Sequence, residues 1–250
     1  MIYVWVRRTL DWRDEEAFRA QLEPKFAPRV DLWNRTLDPP FHLFRHRVRE
    51  IARASLAACE GVAVVCWDQI PEGEVVVPVD DDDWLAPSIG HELGRDAAAN
   101  PEAPGWRWPG TWLEVPTNAG HRLYLARRRL LPFLPERWYC STNNYALRKG
   151  PESLGPATSH MQATNLFMPL RRAGELRVLD RPLSAVNRTL ASQTSLRPLA
   201  DEMTRGQLLR RLRAYRRLYA RPVPERIRWA EQYVEAMATL MDGVSVKGDG

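Results

Sequence analysis

The sequence predicts a mixed α/β fold in which a sheet is flanked by helices and a further pair of helices follows towards the C-terminus. Short runs of β-branched and aromatic residues alternate with longer segments of helical periodicity along the chain. Several of the apolar runs are continuous, which is typical of strands buried on both faces of a sheet. Of the 250 residues, 44% are hydrophobic and 27% are charged, so the chain can enclose a sizeable core.

The helical segments have apolar residues three and four positions apart. In the clearest of them Phe44, Val48 and Ser55 fall on one face, and Gly61 follows as a terminator. Prolines separate the last two segments. The predicted helices are residues 14–22, 44–59, 88–99, 203–220 and 225–241.

The predicted strands are bounded by turns and loops rich in glycine and proline. Residues 71–73 make a turn between two strands, whereas residues 24–40 and 150–156 are expected to be irregular loops. The strands are residues 2–6, 62–67, 75–79, 122–126 and 138–147, with further strands broken by turns between residues 106 and 116.

The chain has no internal repeat and no low-complexity linker, which favours one domain with an appendage. We expect residues 1–200 to form that domain, residues 201–242 to form a helical pair packed on it, and residues 243–250 to be a frayed tail. No apolar run approaches the roughly 20 residues that cross a bilayer. The first residues lack the pattern of a signal peptide.

The cysteine and charge content narrow the class of protein. Three scattered cysteines predict neither a disulfide framework nor a zinc knuckle, so a reducing cytoplasm fits best. The net charge is +5 and comes almost entirely from arginine, whose planar fork suits a diphosphate ligand, although an arginine-rich genome explains the same bias. Nucleic acid is a disfavoured partner, because the most prominent motif is acidic.

Four consecutive aspartates, Asp80 to Asp83, directly follow the apolar run at residues 75–79. Most acidic clusters of this kind are solvated loops. Carboxylates at the end of a buried strand, however, lie where open α/β sheets bind their ligands, and clustered like charges need a cation to stay ionised at low cost. The run therefore predicts a site for Mg²⁺ or Mn²⁺, hard ions that prefer oxygen ligands and bind substrate phosphates.

Residues 75–87, VVVPVDDDDWLAP, resemble the DXD segment of the GT-A nucleotide-sugar glycosyltransferases, in particular the family-2-like and rhamnosyltransferase-like members. The preceding helix, with Arg47, Arg49 and Arg53, is similar to the helix that those enzymes place before the motif. Residues 139–150, YCSTNNYALRKG, resemble the strand that lines their acceptor side. The resemblance covers roughly a third of the chain. It implies a GT-A-like, Rossmann-type mixed sheet and transfer of a sugar from a nucleotide-diphosphate donor to a glycan or glycolipid.

The resemblance also implies a set of metal ligands. Asp80 would contact the donor ribose or the metal, and Asp82 would be the main ligand of Mn²⁺ or Mg²⁺. Asp83 would support the donor site, for instance by a hydrogen bond to a sugar hydroxyl. His160 would complete the metal site, although a lone histidine is more often structural.

Three further residues are candidates for contacts with the nucleotide. Arg7 and Arg8 follow the first strand, where such folds seat the nucleotide, and the alternative is ordinary solvation of a loop. Asp68 ends the second predicted strand, where it would contact the nucleobase or cap a turn.

The catalytic base is the weakest part of the resemblance. An inverting enzyme needs a carboxylate to take the proton of the acceptor hydroxyl. The family often carries it in an acidic pair after the acceptor strand, but only Glu152 stands there, so Asp180 is kept as the reserve candidate.

Amide and aromatic side chains provide candidates for acceptor binding. Asn143 and Asn144 would bind sugar hydroxyls, or they form a turn. Trp84 and Trp138 would be stacking platforms for a sugar, or they belong to the core.

The predicted helix at residues 203–220 carries six arginines beside an apolar stripe. A basic amphipathic helix can rest on an anionic membrane, which would suit a lipid-linked acceptor, and the alternative is a packed helix with a solvated arginine face. We therefore expect a cytoplasmic protein, with peripheral contact at the inner face of the membrane as the alternative.

Two other functions stay open. A different metal-dependent phosphate enzyme, such as a nucleotidyltransferase or a phosphohydrolase, would use the same aspartates. A non-catalytic carbohydrate-binding protein on a degenerate transferase fold would explain why the acidic pair is missing.

Overall fold

A computed structural model describes residues 1–7, 16, 27–114, 133–134, 144–150, 175–188 and 205–248. It confirms the mixed α/β class, with a six-stranded mixed sheet and several helices. The chain divides into two compact units. The first contains residues 1–8, 54–111 and 133–186, and the second contains residues 9–53, 112–132 and 187–250.

The elements are numbered in chain order. The first half of the chain contains β1 (Ile2–Arg7), α1 (Ala27–Thr36), β2 (Leu37–Asp38), α2 (Phe41–Ala57), β3 (Val62–Val64), β4 (Val75–Asp80), β5 (Trp84–Leu85), α3 (Ile89–Ala99), β6 (Gly105–Arg107) and β7 (Gly110–Glu114). The second half contains β8 (Phe133–Leu134), β9 (Tyr145–Arg148), β10 (Arg177–Val178), β11 (Ser184–Arg188), α4 (Arg205–Tyr219), α5 (Glu231–Asp242) and β12 (Ser245–Val246). Short 3-10 helices cover Trp67–Gln69 and Glu225–Ala230.

The main sheet lies in the first unit and has the strand order β10-β6-β9-β4-β1-β3. β1 is parallel to both β3 and β4, and β10 is parallel to β6. β9 is antiparallel to β4 and to β6, so it is the one strand of this described sheet that runs against the others. β4 is buried over its whole apolar stretch, as its continuous run of valines predicts.

The chain order of the strands reverses at β1. After β1 the chain goes to β3 on one side, and after β4 it goes to β6 on the other side. The carboxyl ends of β1 and β4 therefore meet at a topological switch point, where open α/β sheets form a ligand crevice. In this register Arg7, the last residue of β1, lies beside Asp80, the last residue of β4.

The first unit has an aromatic-rich core on the sheet. Trp5 and Trp67 pack with ring centroids 4.9 Å apart. Lys149 lies over the Trp67 ring and donates hydrogen bonds to the carbonyls of Trp67 and Ile70. The cluster consists of Trp5, Trp67, Ile70, Val76, Tyr145, Leu147 and Leu176.

Helix α3 is tied to the sheet by Asp96. Its carboxylate accepts hydrogen bonds from Trp106 Nε1 at 2.9 Å and from Arg177 at 3.1 and 3.2 Å. The N-terminal turn of α3 also approaches the chain before β3 closely, because a Cβ atom on Gly90 would lie 2.8 Å from the Gly61 carbonyl carbon. Gly61 itself has a φ of +69°, a value that glycine adopts without strain.

The second unit packs its own helices and a short strand pair. Trp33 and Phe41 pack edge to face with ring centroids 4.9 Å apart. Tyr219 donates a hydrogen bond of 2.5 Å to Asn187 Oδ1. β12 pairs with β2 in antiparallel register, with Val246 opposite Leu37. No helix in the described part of the chain is long and apolar enough to cross a membrane.

Three predictions about local structure are wrong. Residues 24–40 are not an irregular loop, because α1 and β2 lie there. The strand predicted at residues 62–67 stops at Val64, since the Cys66 N–H donates to the Gln69 side chain instead of to a neighbouring strand. The predicted frayed tail includes β12, with Val244 and Val246 buried.

The strand at 75–79 and the helices at 44–59 and 203–220 match the prediction within a few residues. The helix predicted at 225–241 begins as the 3-10 helix Glu225–Ala230 and becomes α5 at Glu231. The short strands β5, β10 and β11 were not predicted. The helix predicted at residues 14–22 and the strand at 122–126 lie outside the fully described residues, as does most of the loop at 150–156.

Candidate functional site

The candidate site lies at the carboxyl-end edge of the main sheet, where β1 and β4 end at the switch point. Val4 and the β4 residues Val77 and Val79 are buried, which fixes both strands in the core. Arg7 and Asp80 therefore project from rigid elements rather than from loops. Asp80 stands where the sequence predicts it, directly after the apolar run.

Arg7 and Asp80 form an ion pair, with 2.7 Å between Arg7 Nη2 and Asp80 Oδ1. Arg7 is 6% exposed and the Asp80 side chain is 34% exposed, so the pair is open to solvent only on the carboxylate side. A charge with so little access to water needs a close counter-ion. Arg7 Nε is buried as well and has no hydrogen-bond acceptor among the described residues, and Nη2 lies at ion-pair distance from Asp80 without forming an aligned hydrogen bond.

The three aspartates that follow are buried rather than solvated. Asp81, Asp82 and Asp83 are 7%, 7% and 3% exposed, which excludes the solvated-loop reading of this run. None of the three lacks a partner. The Asp83 N–H donates to the Asp80 carbonyl at 3.2 Å, which closes a tight turn between β4 and β5.

The end of α2 supports this turn. Ser55 is fully buried, and its hydroxyl accepts a hydrogen bond of 3.4 Å from the Leu85 N–H. Cys59 Sγ donates to the carbonyls of Ser55 and Ala86, at 3.2 and 3.5 Å. Burial raises the pKa of the Cys59 thiol to about 11, so Cys59 stays a neutral donor. The aspartate turn is therefore held from one side by α2.

Asn144 lies at the same edge of the sheet. β9 is antiparallel to β4, so the amino end of β9 adjoins the carboxyl end of β4. Asn144 Nδ2 donates to the Trp108 carbonyl at 3.1 Å, and the Trp108 N–H donates to the Asn144 carbonyl at 3.1 Å. The side-chain oxygen of Asn144 is buried and has no donor among the described residues.

Sequence reasoning missed the residues that hold this edge together. Trp108 is fully buried, and its indole N–H donates to Ser184 Oγ at 2.8 Å. This contact joins the end of β6 to β11, and β11 also pairs with β5 beside the aspartate turn. Ser55, Trp108 and Ser184 carry no motif, because their roles depend on contacts between distant parts of the chain.

Trp84 does not present a stacking face in this structure. It is fully buried in β5, beside the aspartate turn. Stacking of a sugar on Trp84 would require the surrounding structure to open. Trp84 is therefore better described as a residue of the core.

The other candidates are scattered or lie outside the described residues. Asp68 is exposed in the 3-10 helix Trp67–Gln69. Asp180 is exposed in a bend just after β10, at the same edge of the sheet but three strands from β4. At the spacing of neighbouring strands this places it roughly 14 Å from the line of β4. Candidates outside the described residues are Arg8, Trp138, Asn143, Glu152 and His160.

The donor set is chemically suited to a hard divalent ion. Asp80 and Asp82 offer carboxylate oxygens, and Mg²⁺ is commonly bound through one or two carboxylates together with substrate phosphates. Within the described residues, no set of three or more histidine, cysteine, aspartate or glutamate side chains converges to hold a metal. The described residues therefore do not form a metal site made of protein ligands alone. Two carboxylates together with the oxygens of a diphosphate would supply enough ligands.

No protein-family model matches this chain, and no curated protein matches its sequence.

Proposed function

We propose that the protein is a metal-dependent glycosyltransferase that moves a sugar from a nucleotide-diphosphate donor to a glycan or glycolipid acceptor. The observation that carries the proposal is the in-register pair of Arg7 and Asp80 at the switch point of the main sheet. A cation and a carboxylate at that position can bind the phosphate and the ribose or metal of one nucleotide.

Arg7 is the proposed anchor for the diphosphate. Its Nε is a buried donor without an acceptor among the described residues, and a guanidinium binds phosphate oxygens through two parallel hydrogen bonds. Nη2 is already turned towards Asp80. Arg7 would thus stabilise negative charge on the leaving diphosphate while Asp80 keeps the guanidinium oriented.

The proposal assigns the metal to Asp80 and Asp82. Mn²⁺ or Mg²⁺, when bound, offsets the charge that develops on the leaving phosphate. Asp83 and the end of α2 would hold the turn in the conformation that presents these carboxylates. We assign a GT-A-like fold on the same basis, from the resemblance of residues 75–87 together with the strand order around β1 and β4.

Acceptor binding is assigned to the β9 side of the edge. The buried amide oxygen of Asn144 has no donor among the described residues, and a sugar hydroxyl is a donor of suitable strength. The proposed catalytic base is Glu152, with Asp180 in reserve. If Asp180 is the catalytic base, the acceptor must extend along the sheet edge, because Asp180 is exposed beyond β10.

The acceptor is proposed to be lipid-linked because α4 carries a cationic outer face. Its buried residues Leu208, Leu212, Tyr215 and Tyr219 lie on one side of the helix. Arg210, Arg213 and Arg217 are exposed on the opposite side, at spacings of three and four residues. Because the apolar face is packed, α4 would adsorb to anionic headgroups rather than insert, at the cytoplasmic side of a membrane.

The direct test is a screen of nucleotide sugars with Mn²⁺, followed by an assay for the free nucleotide with and without sugar acceptors. We expect one donor to bind and to release its nucleotide faster when an acceptor is present.

Arg7→Lys keeps the charge but loses the planar fork, so it should weaken donor binding about tenfold or more. Arg53→Lys, an exposed position on α2, is the matched control and should bind within about twofold of the wild type.

The outcomes separate the rival functions. Turnover of nucleoside triphosphates or phosphoesters without any sugar acceptor would assign the aspartates to another phosphate enzyme. Carbohydrate binding without donor binding would assign the fold to a non-catalytic protein. Equal donor affinity in Arg7→Lys and wild type would remove Arg7 from the site.

A further inference from the structure

The second unit contains a cavity of about 290 Å³. It lies between the last turn of α1, the first turn of α4 and the strand β12. All of its lining residues belong to the second unit, and none belongs to the candidate site described above. The lining residues are Leu32, Trp33, Arg35, Thr36, Arg205, Leu208, Val246 and Lys247.

Three of the lining residues are cations and none is acidic. Arg35, Arg205 and Lys247 come from three different elements, and their side chains are exposed at the rim. Neither Arg35 nor Lys247 forms an ion pair with a carboxylate in the described part of the chain. Gathering these two positive charges beside Arg205 is unfavourable, and an anion in the cavity would relieve that repulsion.

The floor of the cavity is apolar. Trp33, Leu208 and Val246 line it, and they are 0%, 3% and 3% exposed. The Trp33 indole N–H is buried as well and is closed off from the cavity, so the floor offers a ligand apolar contact only.

Helix capping explains only part of the basic rim. Arg35 Nε donates to the Asp31 carbonyl at 3.3 Å, and Lys247 Nζ donates to the Asn34 carbonyl at 3.4 Å. Both contacts are made to carbonyls in the second half of α1, and of the two acceptors only Asn34 lies in its last turn. They use one N–H of each side chain, however, whereas an arginine has five and a lysine has three.

We propose that this cavity binds a phosphate monoester that carries a small apolar substituent. A phosphate monoester is close to dianionic at neutral pH, which suits a rim of three cations better than a carboxylate does. The two arginines favour planar recognition of phosphate oxygens, and the apolar floor takes the substituent. The volume lies at the lower end of the range for small-molecule sites, so the ligand is a small one. The proposal is independent of the glycosyltransferase assignment.

The experiment is a calorimetric titration of the full chain with phenyl phosphate at physiological salt. We expect a dissociation constant below about 1 mM. Inorganic phosphate should bind about tenfold more weakly, since it leaves the apolar floor empty. Binding of inorganic phosphate as tight as that of phenyl phosphate, or no binding of either, overturns the proposal.

The double variant Arg35→Gln/Lys247→Gln should weaken phenyl phosphate binding about tenfold or more. Arg221→Gln/Arg228→Gln removes the same charge from exposed positions outside the cavity and is the matched control, expected within about twofold of the wild type. If both variants bind phenyl phosphate equally weakly, the affinity depends only on net charge, which contradicts a specific site in this cavity. If the double variant does not fold, Lys247→Gln alone replaces it, with about threefold weaker binding expected.

Two sources of the ligand can be told apart in the same titration. If the natural ligand is a lipid headgroup, vesicles of phosphatidylcholine doped with phosphatidic acid should compete with phenyl phosphate. If it is a soluble metabolite, the vesicles should leave the phenyl phosphate affinity unchanged. Both results support the site. Vesicles that compete with phenyl phosphate as well in Arg35→Gln/Lys247→Gln as in the wild type contradict it.

Discussion

The Arg7 guanidinium is almost buried beside Asp80, and a lone charge is costly in such a position. The ion pair is therefore needed for stability as well as for the proposed donor site. The local sequence predicts an arginine after one strand and an aspartate after another. Their pairing depends on β1 and β4 being neighbours in parallel register, which is a property of the sheet.

Replacing Asp80 by Asn should lower the free energy of unfolding by about 2 kcal/mol, because it removes the counter-ion of a buried arginine. Chemical denaturation monitored by circular dichroism would measure the change. Asp68→Asn makes the same substitution at an exposed site of the same unit and should stay within about 0.5 kcal/mol of the wild type. An Asp80→Asn variant as stable as Asp68→Asn would show that Arg7 does not depend on Asp80.

Cys59 should react slowly with alkylating reagents, because the thiolate is the reactive form and burial raises the pKa of this thiol to about 11. Below that pH the neutral thiol dominates, and at pH 8 only about one molecule in a thousand carries the thiolate. Iodoacetamide labelling of a variant with Cys66→Ser and Cys140→Ser would measure the rate. We expect labelling about a hundredfold slower than for a small free thiol at pH 8. Comparable rates for Cys59 in the folded protein and for the small free thiol would contradict the raised pKa of this partly buried thiol.

At the scale of elements, the N-terminal turn of α3 packs so closely on the chain before β3 that only glycine fits at position 90. A Cβ atom on Gly90 would collide with the Glu60 carbonyl oxygen and lie 2.8 Å from Val62 Cγ1. Gly90→Ala should therefore destabilise the protein by about 2 kcal/mol or more. Gly94, one turn further along α3, has open space at its Cβ position.

Gly94→Ala is accordingly the matched control for Gly90→Ala, and it should stabilise the protein by about 0.5–1 kcal/mol, since alanine favours helix. Both changes can be measured as shifts in the denaturation midpoint. Similar effects from the two substitutions would contradict the close packing of α3.

Asp96 links α3 to β6 and β10 through a carboxylate whose charged form is favoured. Its pKa is lowered from the usual 3.8, chiefly by the hydrogen bond from Arg177 and further by those from Trp106 and Asn100. A lowered pKa adds stability at pH values above the ordinary pKa, and this contribution is lost as the pH falls through the lowered pKa.

In Arg177→Gln the pKa of Asp96 should rise towards its ordinary value, and the variant should show a smaller loss of stability on acidification than the wild type does. Carbon-detected NMR titration of the Asp96 carboxyl would measure the pKa. An unchanged pKa in Arg177→Gln would assign the shift to another cause.

Two elements that were not predicted show which sequence features are poor guides to secondary structure. Prolines suggested a loop at residues 24–40, but Pro28 lies in the first turn of α1, where its missing N–H costs nothing, and Pro39 follows the helix. At β12, exposed Ser245 lies between buried Val244, which precedes the strand, and buried Val246, an alternation too short to indicate a strand by itself. Its register depends on β2, which local sequence does not determine.

At the scale of the whole molecule, the sequence was sufficient to place the aspartates at a strand end and to predict the mixed α/β class. It was not sufficient to find the switch point, because that depends on the strand order around β1. Nor could it predict the burial of Asp81 to Asp83, or the cavity formed by α1, α4 and β12. Both arise from contacts between residues far apart in the chain.

We propose that the aspartate turn and Arg7 form a metal-assisted diphosphate site. Its most direct test is a calorimetric titration with uridine, guanosine and thymidine diphosphates, in Mn²⁺ and in a chelator. For at least one of them we predict binding about tenfold or more tighter with Mn²⁺ than without, and loss of that metal dependence in Asp82→Asn but not in the exposed control Asp242→Asn. Affinities that do not change with Mn²⁺, or that respond equally in both variants, would contradict the claim.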